Sequence, residues 1–128
     1  MTIDAGITLD AGALIAFDKR RPAVVATLRD ALGRSTPITI PAGALAQAWR
    51  DGRRQARLAQ LLGHDLVTIE ALDIMAARAA GQLCGSTGTS DVIDASVVLC
   101  ANRRQQRIMT SDPTDLRRLD PKLRLIVV

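Results

Sequence analysis

The chain has 128 residues, 48% of them hydrophobic, with 17 Lys and Arg against 13 Asp and Glu and a net charge of +4. That length suits one domain, 1–128, with a core of its own, and no apolar run approaches the roughly 18 residues of a membrane span. The N-terminus lacks a secretory pattern, and Cys84 and Cys100, with no CxxC spacing and one histidine, His64, read as reduced thiols of a cytoplasmic protein rather than a disulfide or zinc site.

Short apolar runs alternate with longer helical stretches. "GITL" (6–9) reads as a first strand and "AGALIAF" (11–17) as a short helix after it. "RPAVVATLRDALGR" (21–34) places Pro22 where a first helical turn tolerates it and apolar residues at 24, 25, 28 and 32. "PITI" (37–40) is a second strand, closed by Pro41, and two helices follow over 42–52 and 53–63, with Gly52 and Gly63 as stops.

"DLVTIE" (65–70) is a third strand, 72–85 a helix, and "STGTS" (86–90) a loop whose Ser90 caps the helix over 91–104. "RIMTS" (107–111) gives a fourth strand, Pro113 starts a new turn, and "LRLIVV" (123–128) gives a fifth strand. Alternation of this kind implies an α/β fold, a central parallel sheet of four to five strands with helices on both faces.

Asp10 leaves the first strand and Asp112 the fourth. In an open parallel sheet the carboxyl ends of the strands share one edge, where ligands bind, so the two acids can converge. Asp4, with only Thr2 and Ile3 before it as an apolar run, reads as a solvated N-terminal acid. Asp94 lies in "SDVIDASVVLCA", a helix with almost no polar face, where an unpaired carboxylate is costly unless a cation or donors meet it. Asp91, three residues earlier, falls on the same face in the first turn, where it also complements the helix dipole.

Carboxylates gathered this way repel one another, and hard oxygen ligands without Cys or His point to Mg²⁺ or Mn²⁺. Such ions serve phosphodiester chemistry. Arginine clusters, Arg50, Arg53 and Arg54 first among them, suit a phosphate-bearing strand.

"LDAGALIAFD", "PAGALAQAWR", "SDVIDASVVLCA" and "IMTSDPTDL" resemble, in order and spacing, the motifs of PIN-domain ribonucleases, and the chain length resembles that of VapC-type toxins of bacterial toxin–antitoxin pairs. The resemblance implies a PIN-like fold, hydrolysis of RNA at a Mg²⁺ or Mn²⁺ site, a homodimer, and neutralisation by a cognate VapB-type antitoxin. Carried over by position, it makes Asp10, Asp94 and Asp112 catalytic metal ligands. Thr110 and Ser111 match hydroxyl positions beside the last of these, and Asp115 a less regular acid that reads equally as a helix-start cap. The family's second motif usually has a glutamate where this chain has Gln47; either Asp91 supplies the missing charge, or the site is weak or holds one metal rather than two. Trp49 reads either as a stacking or anchoring surface or as core.

The alternative to an endoribonuclease is a PIN-fold module that binds RNA or protein without cutting. A phosphoryl-transfer domain with Asp10 as nucleophile wants an acid two residues on, where Gly12 stands, and a receiver domain wants a lysine after a late strand.

Overall fold

A computed structural model describes residues 4–128; Thr2 and Ile3 lie outside the described residues. Strand β1 (Ile7–Leu9) is flanked by β2 (Ile38–Pro41) and β4 (Arg107–Thr110), with β3 (Val67–Glu70) and β5 (Leu125–Val127) outermost, giving the order β3-β2-β1-β4-β5. Every pairing is parallel, with Thr8 opposite Thr39 on one side and Ile108 on the other. Ile7, Thr8 and Leu9 are all buried, as are Ile38, Thr39 and Ile40. A parallel strand covered on both faces shows no in–out alternation, which is why even the threonines of these runs are buried.

Among the described residues, seven helices flank the sheet, α1 (Ala11–Asp18), α2 (Pro22–Gly33), α3 (Ala42–Ala48), α4 (Ala56–Leu62), α5 (Ile74–Thr87), α6 (Val92–Arg104) and α7 (Pro113–Leu119). The α/β class, the parallel sheet and its five strands agree with the sequence reading. The chain runs from β1 outward through β2 to β3, then returns to lay β4 on the other side of β1. The order therefore reverses between β1 and β4, the position at which open α/β sheets form a crevice at their carboxyl edge.

Several boundaries move for local reasons. The helix expected over 42–52 ends at Ala48, because the buried Gln55 side chain captures the backbone beyond it. Its Oε1 accepts from Arg50 N (2.7 Å) and Asp51 N (2.9 Å), while Nε2 donates to Ala48 O (2.9 Å) and Asp18 Oδ2 (3.2 Å). Helix α5 runs past Gly85 to Thr87 and closes on Gly88 at φ +68°, a left-handed cap. Residues 113–119 form a helix rather than a turn, with Leu116 and Leu119 buried three apart. Asp4 is exposed but not free: it accepts from Gly6 N (2.9 Å) and pairs with Arg107 (2.8 Å).

Both cysteines are buried and unpaired. Burial, and then the Glu70 carboxylate, push the Cys100 thiol up to about 12, so it is unreactive. Trp49 is partly buried against the core with its ring beside Gly52, which favours its reading as core.

Gly6 enters β1 at φ +114°, where a Cβ would collide with the Pro37 carbonyl and stand 2.7 Å from Gln106 Nε2. Gln106 is buried, accepting from Thr8 Oγ1 (2.8 Å) and donating to Ala5 O (2.9 Å). Gly6→Ala should lower unfolding free energy by about 2 kcal/mol or more in urea titrations, from the forbidden dihedral and the displaced Gln106 together. A loss within about 0.5 kcal/mol would contradict this account of the β1 entry.

Candidate functional site

Asp10 sits at the last turn of the chain out of β1, only 4% exposed. It caps α1, its Oδ1 accepting from Ala13 N at 2.8 Å, and its backbone N–H reaches across to Met109 O (3.3 Å) on β4. Burial raises its pKa above the usual value, the Thr110 hydroxyl and the Ala13 N–H pull it back, and the Asp112 charge raises it again. Thr110 is fully buried and also accepts from Asp112 N (2.8 Å). One hydroxyl thus ties the acid of β1 to the backbone of the acid that follows β4.

Asp94 lies in the first turn of α6, half-buried between Ile93 and Ala95. Its carboxyl is pushed up to about 7, first by burial, then by Asp91 through charge and a shared hydrogen bond, then by the charges of Asp10 and Asp115. Asp112 is exposed at the head of α7, and its pKa is raised first by a hydrogen bond shared with the Asp115 carboxyl, then by burial and the Asp115 charge, against the lowering influence of Arg118. Five aspartates from three separate stretches of chain therefore feel one another's charge at the carboxyl edge of β1 and β4.

Two expectations change in detail. Ser90 does not cap α6; Asp91 does, its Oδ1 accepting from Asp94 N at 2.9 Å. Asp91 is therefore not one helical turn along the same face but folded back over Asp94, since an aspartate reaches the N3 amide as well as a serine does. Asp115 is not a cap either. It stands inside the first turn of α7 and pairs with Arg118 at 3.7 Å.

The structure places Gln47 on the exposed side of α3, with no hydrogen bond to the carboxylates among the described residues. Arg50, Arg53 and Arg54 lie in the loop that Gln55 fastens to Asp18, the last residue of α1, whereas Asp10 caps its first turn. One helix of eight residues, about 12 Å, separates the two ends. The arginines of this loop are therefore not beside the acids. Arg118 is, in a cavity of about 710 Å³ that it lines with Asp91, Asp94, Asp115 and the 87–90 loop. The signal for it was the (i, i+3) pair Asp115/Arg118, visible only once 113–119 is read as a helix.

Ser111 is exposed, its Oγ packed over Gly12 in the first turn of α1; a Cβ at Gly12 would stand 2.7 Å from Ser111 Oγ and 3.5 Å from Asp10 Oδ1. The glycine leaves room for a hydroxyl beside the buried acid.

The donor set is carboxylate and hydroxyl oxygen, with neither thiol nor imidazole near it, which fits Mg²⁺ or Mn²⁺ and not zinc. Among the described residues no three acids, cysteines or histidines close into a cage.

The raised acids set a pH dependence. Between about pH 4 and about pH 7 the folded chain binds more protons at Asp94 and Asp10 than the unfolded chain, so stability falls as pH rises through that window. Glu70, lowered overall against its burial by bonds from Cys100 and Arg104 and by the Arg103 charge, acts oppositely but below its ordinary 4.5. The Tm of the protein in chelator should decline from about pH 5 to about pH 8, and Asp94→Asn should flatten the decline. A Tm that climbs over that range would refute this electrostatic picture.

No family model matches the sequence, and no curated protein matches it. Solved structures do. A chain of VapBC2 from Rickettsia felis, bound to a DNA fragment from its promoter, superposes with TM-score 0.69 at 17% identity over 95% of this chain and 98% of that one. A chain of FitAcB from Neisseria gonorrhoeae gives TM-score 0.62 at 19% identity, covering 94% and 96%. A chain of FitAB bound to an IR36 DNA fragment gives 0.64 at 15% identity, covering 94% of each. The four motifs and these superpositions agree: the chain has the PIN-like α/β fold.

Proposed function

We propose that the protein is a Mg²⁺- or Mn²⁺-dependent endoribonuclease that acts as the toxin of a toxin–antitoxin pair in the cytoplasm. The observation that carries this reading is the convergence of Asp10, Asp94 and Asp112 on one edge, with Asp91 and Asp115 behind them. Asp10, Asp94 and Asp112 would hold the ion, Asp91 completing the charge that Gln47 does not supply. The chemistry such an ion supplies when bound is polarisation of a phosphate oxygen and activation of water.

The chain's own residues do the rest. Asp10 is anchored through Oδ1 by the Ala13 amide, and the Thr110 hydroxyl favours its charged form. Asp94, pushed up to about 7 by burial and by Asp91, is the carboxylate whose crowding a bound cation would relieve most. Arg118 offsets the negative field at the mouth and meets the phosphate. Ser111 stands where a hydroxyl orients water or a phosphate oxygen.

Two further surfaces fit the partners. A groove of about 410 Å³ between α1, α2 and α4 has an apolar floor of Phe17, Val25, Leu28 and Leu32 and cationic walls at Arg29 and Arg57. We assign it to an amphipathic, acid-flanked segment of the cognate antitoxin, since the superposed chains come from two-component VapBC and FitAB assemblies. Ile74 and Met75, 66% and 78% exposed beside Leu72, form the apolar patch we assign to the homodimer.

The competing reading, a non-cleaving binding module, draws on Gln47. Purified protein incubated with structured RNA and Mg²⁺ separates the two. Asp94→Asn should slow cleavage by about 100-fold or more. Thr110→Val, which leaves every carboxylate in place but unties Asp10 from Asp112, should slow it by about tenfold and weaken the metal dependence. Wild-type protein that binds RNA yet leaves it intact at every Mg²⁺ and Mn²⁺ concentration decides for the module.

A further inference from the structure

Another cavity, of about 500 Å³, opens beside Gly12 and Ser111. Both residues line it, and a Cβ at Gly12 would stand 3.5 Å from Asp10 Oδ1, so the cavity adjoins the buried acid. Its walls are Ile15 and Ala16 of α1 with Pro22 and Val24 of α2, and Arg21 stands at its rim. Among the described residues Arg21 has no carboxylate partner, in contrast to Arg103, Arg104 and Arg107, which are all paired.

An apolar slot has nothing to offer a phosphate or a ribose. The one apolar part of a nucleotide is its base, and a slot of this size lies within the range of about 300–1,000 Å³ that holds small ligands. The two aromatic side chains are elsewhere: Phe17 faces the groove on α2 and α4, and Trp49 packs on Gly52. A base beside this site would therefore lie on aliphatic side chains and the Pro22 ring, with the planar guanidinium of Arg21 over its open face. We infer that the slot bounded by Ile15, Pro22, Val24 and Arg21 is a nucleobase subsite, taking one unpaired base of the strand next to the bond cut at the aspartates. It rests on the nuclease reading and adds to it the place where one base is held.

Two measurements test it. In the first, methyl-labelled Asp94→Asn protein is titrated with a short single-stranded oligoribonucleotide and with the same strand carrying an abasic residue at each position in turn. The Ile15 and Val24 methyl signals should shift with the intact strand and lose most of the shift with one abasic strand. In the second, the wild type should cut RNA abasic at one position adjoining the cleaved bond about tenfold more slowly than intact RNA, as loss of a stacked base implies. Arg21→Ala and Ala23→Trp, both at exposed positions, should slow cutting of intact RNA towards the abasic rate and leave the abasic rate unchanged.

Equal cutting of intact and abasic RNA, or variants that slow both alike, would overturn the subsite and leave the nuclease standing. Methyl shifts from a wild type that cuts nothing would retain the subsite and remove the nuclease. Methyl signals that answer to a polypeptide from the antitoxin and to no RNA would also overturn it.

Discussion

The arrangement depends on keeping a carboxylate buried where two strands part. Asp10 is 4% exposed, at the junction from which the sheet grows in both directions, and an ionised group there is tolerable only while donors reach it. The Ala13 amide is one donor and belongs to the same turn. The other, the Thr110 hydroxyl, comes from a strand a hundred residues further along and makes the site tertiary. By accepting from Asp112 N as well, Thr110 registers the chain after β4 against the chain after β1. Helix α6 then brings Asp94 to the same edge, and the cap formed by Asp91 adds a charge on top of it.

The cost of assembling such a cluster is visible in its raised pKa values, and it is offset only in part by protein. Arg118 is the cation within the hollow, whereas Arg103 and Arg104 are committed to Glu70 and Arg107 to Asp4. A net charge of +4 therefore does not describe the local field. The basic surface and the acidic hollow are distinct places, which suits a polyanion drawn to the molecule at large and admitted to the hollow only with a divalent cation.

How far the site was legible in the sequence follows from what each signal depends on. Asp10 and Asp112 could be placed because a short apolar run followed by an acid and a helix start is a local pattern, and parallel strands bring their ends together. Asp94 stood out because the helix around it has no polar face. Asp91 was harder: Ser90 and Asp91 are both good caps, and which one takes the position depends on backbone dihedrals that the sequence does not carry. The short α7 was missed because Pro113 marks a turn and a helix start equally well, and Arg118 was missed with it. The arginines at 50, 53 and 54 read as a hold on a phosphate-bearing strand, and how far they lie from the acids is not written in the sequence. Gln55, by ending α3 and fastening the loop to Asp18, sends them to the other end of α1. Side-chain capture of backbone by a buried glutamine has no periodicity to read.

The most direct measurement is where a paramagnetic divalent ion settles. Substoichiometric Mn²⁺ added to isotopically labelled protein should first broaden the amide signals around Asp10, Asp94 and Asp112 and spare those of the 50–55 loop and of Glu70. Broadening that begins at Asp51, Glu70 or Asp73, or that spreads evenly over the surface acids, would contradict the claim that these distant aspartates make one cation site.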